Sequence, residues 1–434
     1  MDLKTPINAS LTAFYKRSFA YLTVNERIPK ILTELINTLK DNKQDILKKY
    51  GLYAGDELKL VIKEITKLKR EIRENKPIIK IEGTPDADLY NQFLEEQSTK
   101  IIEPTSFNSN WLHLECYFYR RLSCITIQTQ FFTNLDLFTW QKEESFTTAV
   151  PLMIQLGSNL NKTLSNPECE QEKEFINLLK LNLWGNKCDL SISCGVIKEE
   201  VSHVDNLETL NSKILSDSSE DIWNTISNVA ERVSSIVDIV LDNTGYEFFS
   251  DMCLADFIIK MKLAQTVRFY VKSFPWFISD VTKNDFDSTL RLIKSNKNGT
   301  LKKIGDRWLN YLKKGSWKIE TFDFWTLPYT YKDMRRIDPD LYKQLGEAKI
   351  VIFKGDLNYR KLVGDKNWLY TTPFKDALQG FYPTVLCTLR TLKADLVCGL
   401  KPDVAEEAEK SDKDWLINGS FGVIQFSNLI EEYE

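Results

Sequence analysis

The first half of the chain carries apolar residues at helical spacing. In "NERIPKILTELINTLK", Ile28, Leu32, Leu35 and Leu39 share one face, and "DELKLVIKEITKLKREI" repeats the stripe with Leu58, Val61, Ile65, Leu68 and Ile72. Further helical patterns run over 88–98, 109–125, 145–164, 169–184 and 219–233. Past residue 233 the texture changes. Short runs rich in Val, Ile, Phe and Leu ("SIVDIVLD", "TVRFYVKS", "IETFDFW", "KIVIFKG", "TVLCTLRT", "ADLVCGL" and "FGVIQFS") alternate with helical patterns. The helix "YEFFSDMCLADFIIKMKLA" between the first two runs makes a strand–helix–strand unit. Such alternation predicts an α/β fold, with a mostly parallel sheet covered by helices. The acidic stretch at 401–415 reads as a solvated loop or a short surface helix.

Composition narrows the functional classes. At 434 residues the chain can bury a large core in two or three structural units. Net charge is −4 with both signs interspersed, so no basic stripe offers itself to nucleic acid. No apolar run approaches the roughly 18 residues needed to cross a bilayer, and "MDLKTPINASLTAFYKRSFAYL" lacks the apolar core of a secretory signal. The eight cysteines are scattered, and Cys253 and Cys387 lie in apolar segments as small core residues. A reducing, cytoplasmic setting is expected, with the nucleus also open, and the N-x-[ST] triplets at Asn8, Asn161, Asn298 and Asn418 are expected to be unused.

Two histidines, His113 and His203, are too few for a histidine-rich zinc site or a Cys₂His₂ finger, and no C-x₂-C pair exists. His113, in "NWLHLECYFYRRL", reads as a core histidine. A metal bound here must therefore be held by oxygen.

In an open α/β sheet, ligands gather beyond the carboxyl ends of the strands. Several predicted strands release polar residues there. The first gives Asp242, Asn243 and Glu247, and the second leads through Lys272 to Asp280. A later one gives Lys354, Asp356, Asn358 and Arg360, and the next Arg390, Thr391 and Lys393. Asp242, Asn243 and Asp280 are hard oxygen donors suited to Mg²⁺, Mn²⁺ or a similar ion. Arg360, Arg390, Lys393 and Lys354 can meet an anionic substrate. Each feature also has an ordinary reading. Asp242–Asn243 fits a turn or helix cap, Asp280 fits a cap for the next helix, and the cations fit a solvated loop. Their shared placement is what points to a metal–phosphate site.

The runs "SFAYLTVNERIPKIL", "LECYFYRR", "LWGNKCDLS", "VLDNTGYEFFSD", "KSFPWFISDV", "FKGDLNYRKLVGD", "RTLK" and "NGSFGVIQF" resemble the metal-dependent damage-control phosphatases. The likeness is to the sugar-phosphate subfamily, also called acidic residue methyltransferases, and extends from about residue 18 to about 426. It implies a helical N-terminal domain, placed here at 1–233, on a three-layer α/β/α domain at 234–434 with a divalent metal at the junction. It assigns the metal, Mn²⁺, Co²⁺, Ni²⁺ or Mg²⁺, to Asp242, Asn243 and Asp280, which are then the catalytic residues. It sets a small phosphorylated metabolite, such as fructose 1-phosphate or fructose 6-phosphate, against Asp242, Asn243, Lys393 and the loop Asp356, Leu357, Asn358, Tyr359 and Arg360. Arg390 belongs to the R-T-x-K signature. Glu247 and Asp280 fall where the methyltransferase reading puts S-adenosylmethionine. The run at 184–191 brings Asn186 and Asp189 toward the site from the helical domain, their ordinary reading being a helix end and turn. The segment with Arg27 reads as packing between helices and domain.

The expected reaction is phosphate-monoester hydrolysis by a water activated at the cation, or through covalent phosphorylation of Asp242. Thr244, where haloacid dehalogenase-type enzymes carry a second Asp, favours water. The alternative is S-adenosylmethionine-dependent methylation of protein glutamates. No G-x-G-rich turn follows the first strand to receive that cofactor.

Overall fold

The computed structural model describes residues 2–101, 103–185, 207–228 and 235–430. Seven strands are present among them: β1 (Ile214–Asp217), β2 (Ile236–Val240), β3 (Thr266–Val271), β4 (Trp317–Thr321), β5 (Ile350–Lys354), β6 (Leu386–Thr391) and β7 (Gly422–Ser427). They form one sheet in the order β1-β7-β6-β5-β2-β3-β4. Neighbours are parallel except β6 and β7.

Alternation along the strands feeds two cores. Val240, Tyr270, Val351 and Phe353 enter one, with apolar stripes from Ile28–Asp41, Ala54–Arg73, Trp111–Ile127 and Gly355–Leu362. Val237, Ile239, Val267, Phe269, Ile350 and Ile352 enter the other, with Thr139–Ser165, Gln171–Trp184, Tyr246–Lys260, Lys283–Ser295 and Gly299–Lys314. Helices therefore cover both faces, as a three-layer α/β fold requires. The stripes predicted at 28–39 and 58–72 are buried as expected. Among the described residues no helix is long and apolar enough to cross a membrane.

Three sequence expectations change. The boundary at 233 does not separate the layers: Thr139–Ser165 and Gln171–Trp184 pack on the sheet's second face, and β1 is itself a strand of the sheet. An amphipathic pattern shows that a helix buries a face but not what it buries it against. "ADLVCGL" is a buried loop, not a strand. Its N–H groups pair with the Tyr359 hydroxyl (from Cys398, 3.2 Å) and with carbonyls of Thr372 and Tyr370. "IETFDFW" is half strand, since β4 ends at Thr321 and Asp323–Thr326 turns into a 3₁₀ helix.

The topology fixes where the site lies. From β2 the chain steps outward to β3 and β4, then returns to the opposite side of β2 for β5 and β6. The strand order reverses between β2 and β5, where a crevice opens at the carboxyl ends. Asp242 follows β2, Asp280 follows β3, Gly355–Arg360 follow β5 and Lys393 follows β6.

Candidate active site

A cleft with ≈ 600 Å³ of atom-free space, part of it open solvent, lies at this crevice. Asp242, Asn243, Asp280, Asp356, Leu357, Arg360 and Lys393 line it from the sheet side. Thr23, Arg27, Ile28, Ile31, Trp111, Glu115 and Tyr119 line it from the helical side, with Phe277.

The acidic end is a pair of stitched loops. Asn243 and Asp280 face each other as an antiparallel bridge. Thr244 N–H donates to the Ser279 carbonyl at 2.7 Å, and Val281 N–H to the Asp242 carbonyl at 2.8 Å. Asn243 Nδ2 donates to Asp242 Oδ2 and to Glu247 Oε2, both at 2.9 Å, while its Oδ1 accepts from Ser279 Oγ at 2.6 Å. Lys272 Nζ stands 3.1 Å from Asp280 Oδ2, and Lys142, on Thr139–Ser165, donates to the Asp280 carbonyl at 3.2 Å. Just before Asp280, Phe277 (φ 44°) and Ile278 (φ 70°) occupy the left-handed region. For a β-branched residue such as Ile278 this is a true outlier, costing on the order of 1–3 kcal/mol. Strain of this kind persists where surrounding bonds over-determine the loop, as these do.

Asp242 rests directly on the β5 turn. Gly355 has φ +82°, and a Cβ built there would fall 1.8 Å from Asp242 Oδ2. Only glycine lets the backbone approach the carboxylate so closely.

The basic end is more committed than the sequence suggests. Arg360 pairs with Glu115 Oε2 at 2.5 Å and Asp365 Oδ1 at 2.8 Å and stacks on Trp111 at 3.6 Å. Burial pushes the Glu115 carboxyl up while the Arg360 charge pulls against it. Arg390, fully buried, donates to Asp356 Oδ1 at 2.7 Å and to the Leu396 and Ala394 carbonyls. It anchors Asp356, which also accepts from Lys393 N–H at 3.2 Å.

Several predicted substrate contacts thus sit behind the cleft. Glu247 is 1 % exposed, bonded to Asn243 and to Lys354 at 2.8 Å. Asn358 turns inward to the Lys354 carbonyl at 2.7 Å, and Tyr359 packs on Phe374 and bonds Cys398. Glu247, Asn358, Tyr359 and Arg390 are not among the lining residues. Their side chains position those that are. Asn186 and Asp189 lie outside the described residues. In the other direction, Arg27, expected to be packing, lines the cleft. Its placement depends on a π-helical turn, Thr23–Arg27, which leaves no trace in apolar spacing. His113 is a core residue as expected: it packs on Phe93, and burial pushes its imidazole down to about 3.

Among the described residues no group of three His, Cys, Asp or Glu side chains gathers as a metal cluster. The donor set here is instead the side chains of Asp242, Asn243 and Asp280, which line one cleft. That set fits a hard divalent ion that keeps several waters. The close seat of Asp242 on Gly355 shows a carboxylate held in a fixed place.

Comparison with known proteins places this architecture. A family model described as the damage-control phosphatase ARMT1-like domain matches residues 23–408. The chain is similar to damage-control phosphatase ARMT1 of Homo sapiens, 40 % identical over 434 residues, covering 97 % of this chain and 98 % of that protein. It is likewise similar to the proteins of that name from Xenopus tropicalis (38 %, covering 97 % and 99 %) and Danio rerio (38 %, covering 96 % and 97 %). Among solved structures it is similar to a DUF89 family protein from Pyrococcus horikoshii, 16 % identical, covering 75 % and 87 % with a TM-score of 0.38. With that family model spanning most of the sequence and such relatives matching almost end to end, the chain belongs to the ARMT1-like damage-control phosphatase family.

Proposed function

We propose that the chain is a divalent-metal-dependent phosphatase hydrolysing phosphate monoesters of small metabolites, fructose 1-phosphate and fructose 6-phosphate among them. One observation carries this reading: Asp242, Asn243 and Asp280 line a single cleft together with Arg27, Arg360 and Lys393. The relatives' name, damage-control phosphatase, supports the reaction class. Asp242, Asn243 and Asp280 would hold the cation, whether Mn²⁺, Co²⁺, Ni²⁺ or Mg²⁺. When bound, it supplies charge against a phosphoryl oxygen and makes water a stronger nucleophile.

The chain's own residues do the rest. Asn243 Nδ2 ties Asp242 Oδ2 in place, and Ser279 fixes the orientation of the amide. This favours Asp242 as a ligand over Asp242 as the attacking group. Lys393, whose N–H is clamped by Asp356, meets the negative charge that develops on the phosphoryl oxygens. Apolar Ile28, Ile31, Leu357 and Phe277 exclude bulk water from the same cleft. The described cysteines 116, 124, 169, 253, 387 and 398 are free, in keeping with a reducing cytoplasm.

The deciding experiment is a phosphate-release screen over phosphometabolites with each divalent metal and with chelator. Activity is expected with metal alone, and Asp242→Ala is expected to lose at least about 100-fold. Release that persists in chelator, or in Asp242→Ala, would remove the reading.

For the methyltransferase alternative, both Glu247 oxygens are engaged, Oε1 by Lys354 and Oε2 by Asn243, in a side chain 1 % exposed. Contact with a cofactor would require breaking a buried ion pair. Calorimetry is therefore expected to show no heat with S-adenosylmethionine, while hexose phosphate with Mn²⁺ gives a binding isotherm.

A further inference from the structure

Among the described residues three cations line the cleft; Arg360 and Lys393 lie on the sheet side, and Arg360 is held by two carboxylates and an aromatic face. The third comes from the opposite wall. Arg27 ends the π-helical turn Thr23–Arg27, in which Ile28 N–H closes on the Thr23 carbonyl. Wide turns of this kind recur at functional sites because the extra residue re-aims a side chain. Here Arg27 Nη1 donates to Thr23 Oγ1 at 3.1 Å and the guanidinium lies 4.9 Å over the Phe19 ring. Both Thr23 and Arg27 line the cleft.

A second contact ties this wall to the substrate loop. Asp395, two residues after Lys393, accepts from Phe19 N–H at 2.8 Å, at the start of the helix that leads into the π turn. The loop carrying Lys393 and the turn carrying Arg27 are thereby fixed relative to each other, although 366 positions separate the two residues in sequence (393 minus 27).

We infer that Arg27 binds the anionic group of the substrate from the helical wall, with Lys393 facing it from the sheet, so that phosphate is gripped between the two layers. This rests on the phosphatase reading above. A guanidinium fork suits a tetrahedral oxyanion, and Thr23 pre-orients it at little entropic cost. Arg360, by contrast, shapes and charges the cleft while its donors stay with Glu115 and Asp365. The assignment makes the helical layer part of the binding apparatus.

Arg27→Met and Arg27→Lys test this, since the side chain is only half-buried and neither change opens a core cavity. With Arg27→Met, KM for a phosphate monoester and the inhibition constant of inorganic phosphate are both expected to rise about 30-fold, with kcat changing less. Arg27→Lys is expected to fall between, because it keeps the charge without the fork. A packing role would instead lower the melting temperature and leave both constants unchanged. KM and phosphate inhibition within about twofold of the parent in Arg27→Met would overturn the inference. If the parent chain hydrolyses no phosphate monoester with any metal, the functional reading fails separately. Calorimetry with inorganic phosphate on the Mn²⁺-loaded parent and Arg27→Met proteins then still decides, equal affinities counting against Arg27.

Discussion

Gly355→Ala is expected to abolish phosphate release and to destabilise the fold in one step. The new Cβ would lie 1.8 Å from Asp242 Oδ2 and 2.2 Å from its Cγ, in a backbone conformation of φ +82° that L residues resist. Either the carboxylate or the β5 turn must move. Displacement of a reacting group by about 1 Å already costs on the order of 100-fold in rate. Strain at the turn adds about 1–3 kcal/mol of lost stability. Steady-state kinetics with Mn²⁺ and denaturant unfolding measure the two effects together. A Gly355→Ala protein with parental kcat would show that the Asp242 carboxylate is not where the reaction needs it.

Lys354→Met is the second large change. Lys354 sits at the end of β5, 1 % exposed, with Glu247 and Asp251 each 2.8 Å away and equally buried. Removing the cation leaves two buried carboxylates facing each other, and breaking a buried pair typically costs about 3–5 kcal/mol. Burial already pushes Asp251 up, and Lys354 is the chief charge pulling it back. Without Lys354, Asp251 rises further above its unfolded value. The native state then binds more protons than the unfolded chain across that window, so stability falls as pH rises through it. The variant's melting temperature is expected to recover from about pH 8 to about pH 5, while the parent shows a smaller gain. Glu247 also fixes Asn243, so activity is expected to fall even where the variant is folded. A pH-independent melting deficit would contradict the charge argument.

The strand-end logic of the sequence reached Asp242, Asn243, Asp280 and Lys393 because each follows an apolar run long enough to be a buried strand, and β2, β3, β5 and β6 are such runs. β1 escaped notice because three of its four residues are only half-buried and Asp217 is exposed, so no apolar run marks it. Glu247, Asn358, Tyr359 and Arg390 were legible as neighbours of the site but not as its supports. Which way a side chain turns depends on partners such as Lys354 and Asp356, distant in sequence. Arg27 was missed for the converse reason. Its stripe neighbours Ile28, Leu32 and Leu35 do pack, and the one-residue widening at Thr23–Arg27 leaves no mark in their apolar spacing.

The position of β7 has a consequence for assembly during synthesis. It is the last of the described strands in chain order, yet it lies between β1 and β6 and is the one described strand that pairs with β1. Until Gly422–Ser427 are made, β1 has none of the described strands to pair with. The edge of β6 stays open over the same interval, so chaperone protection of that edge matters most until β7 is made and paired.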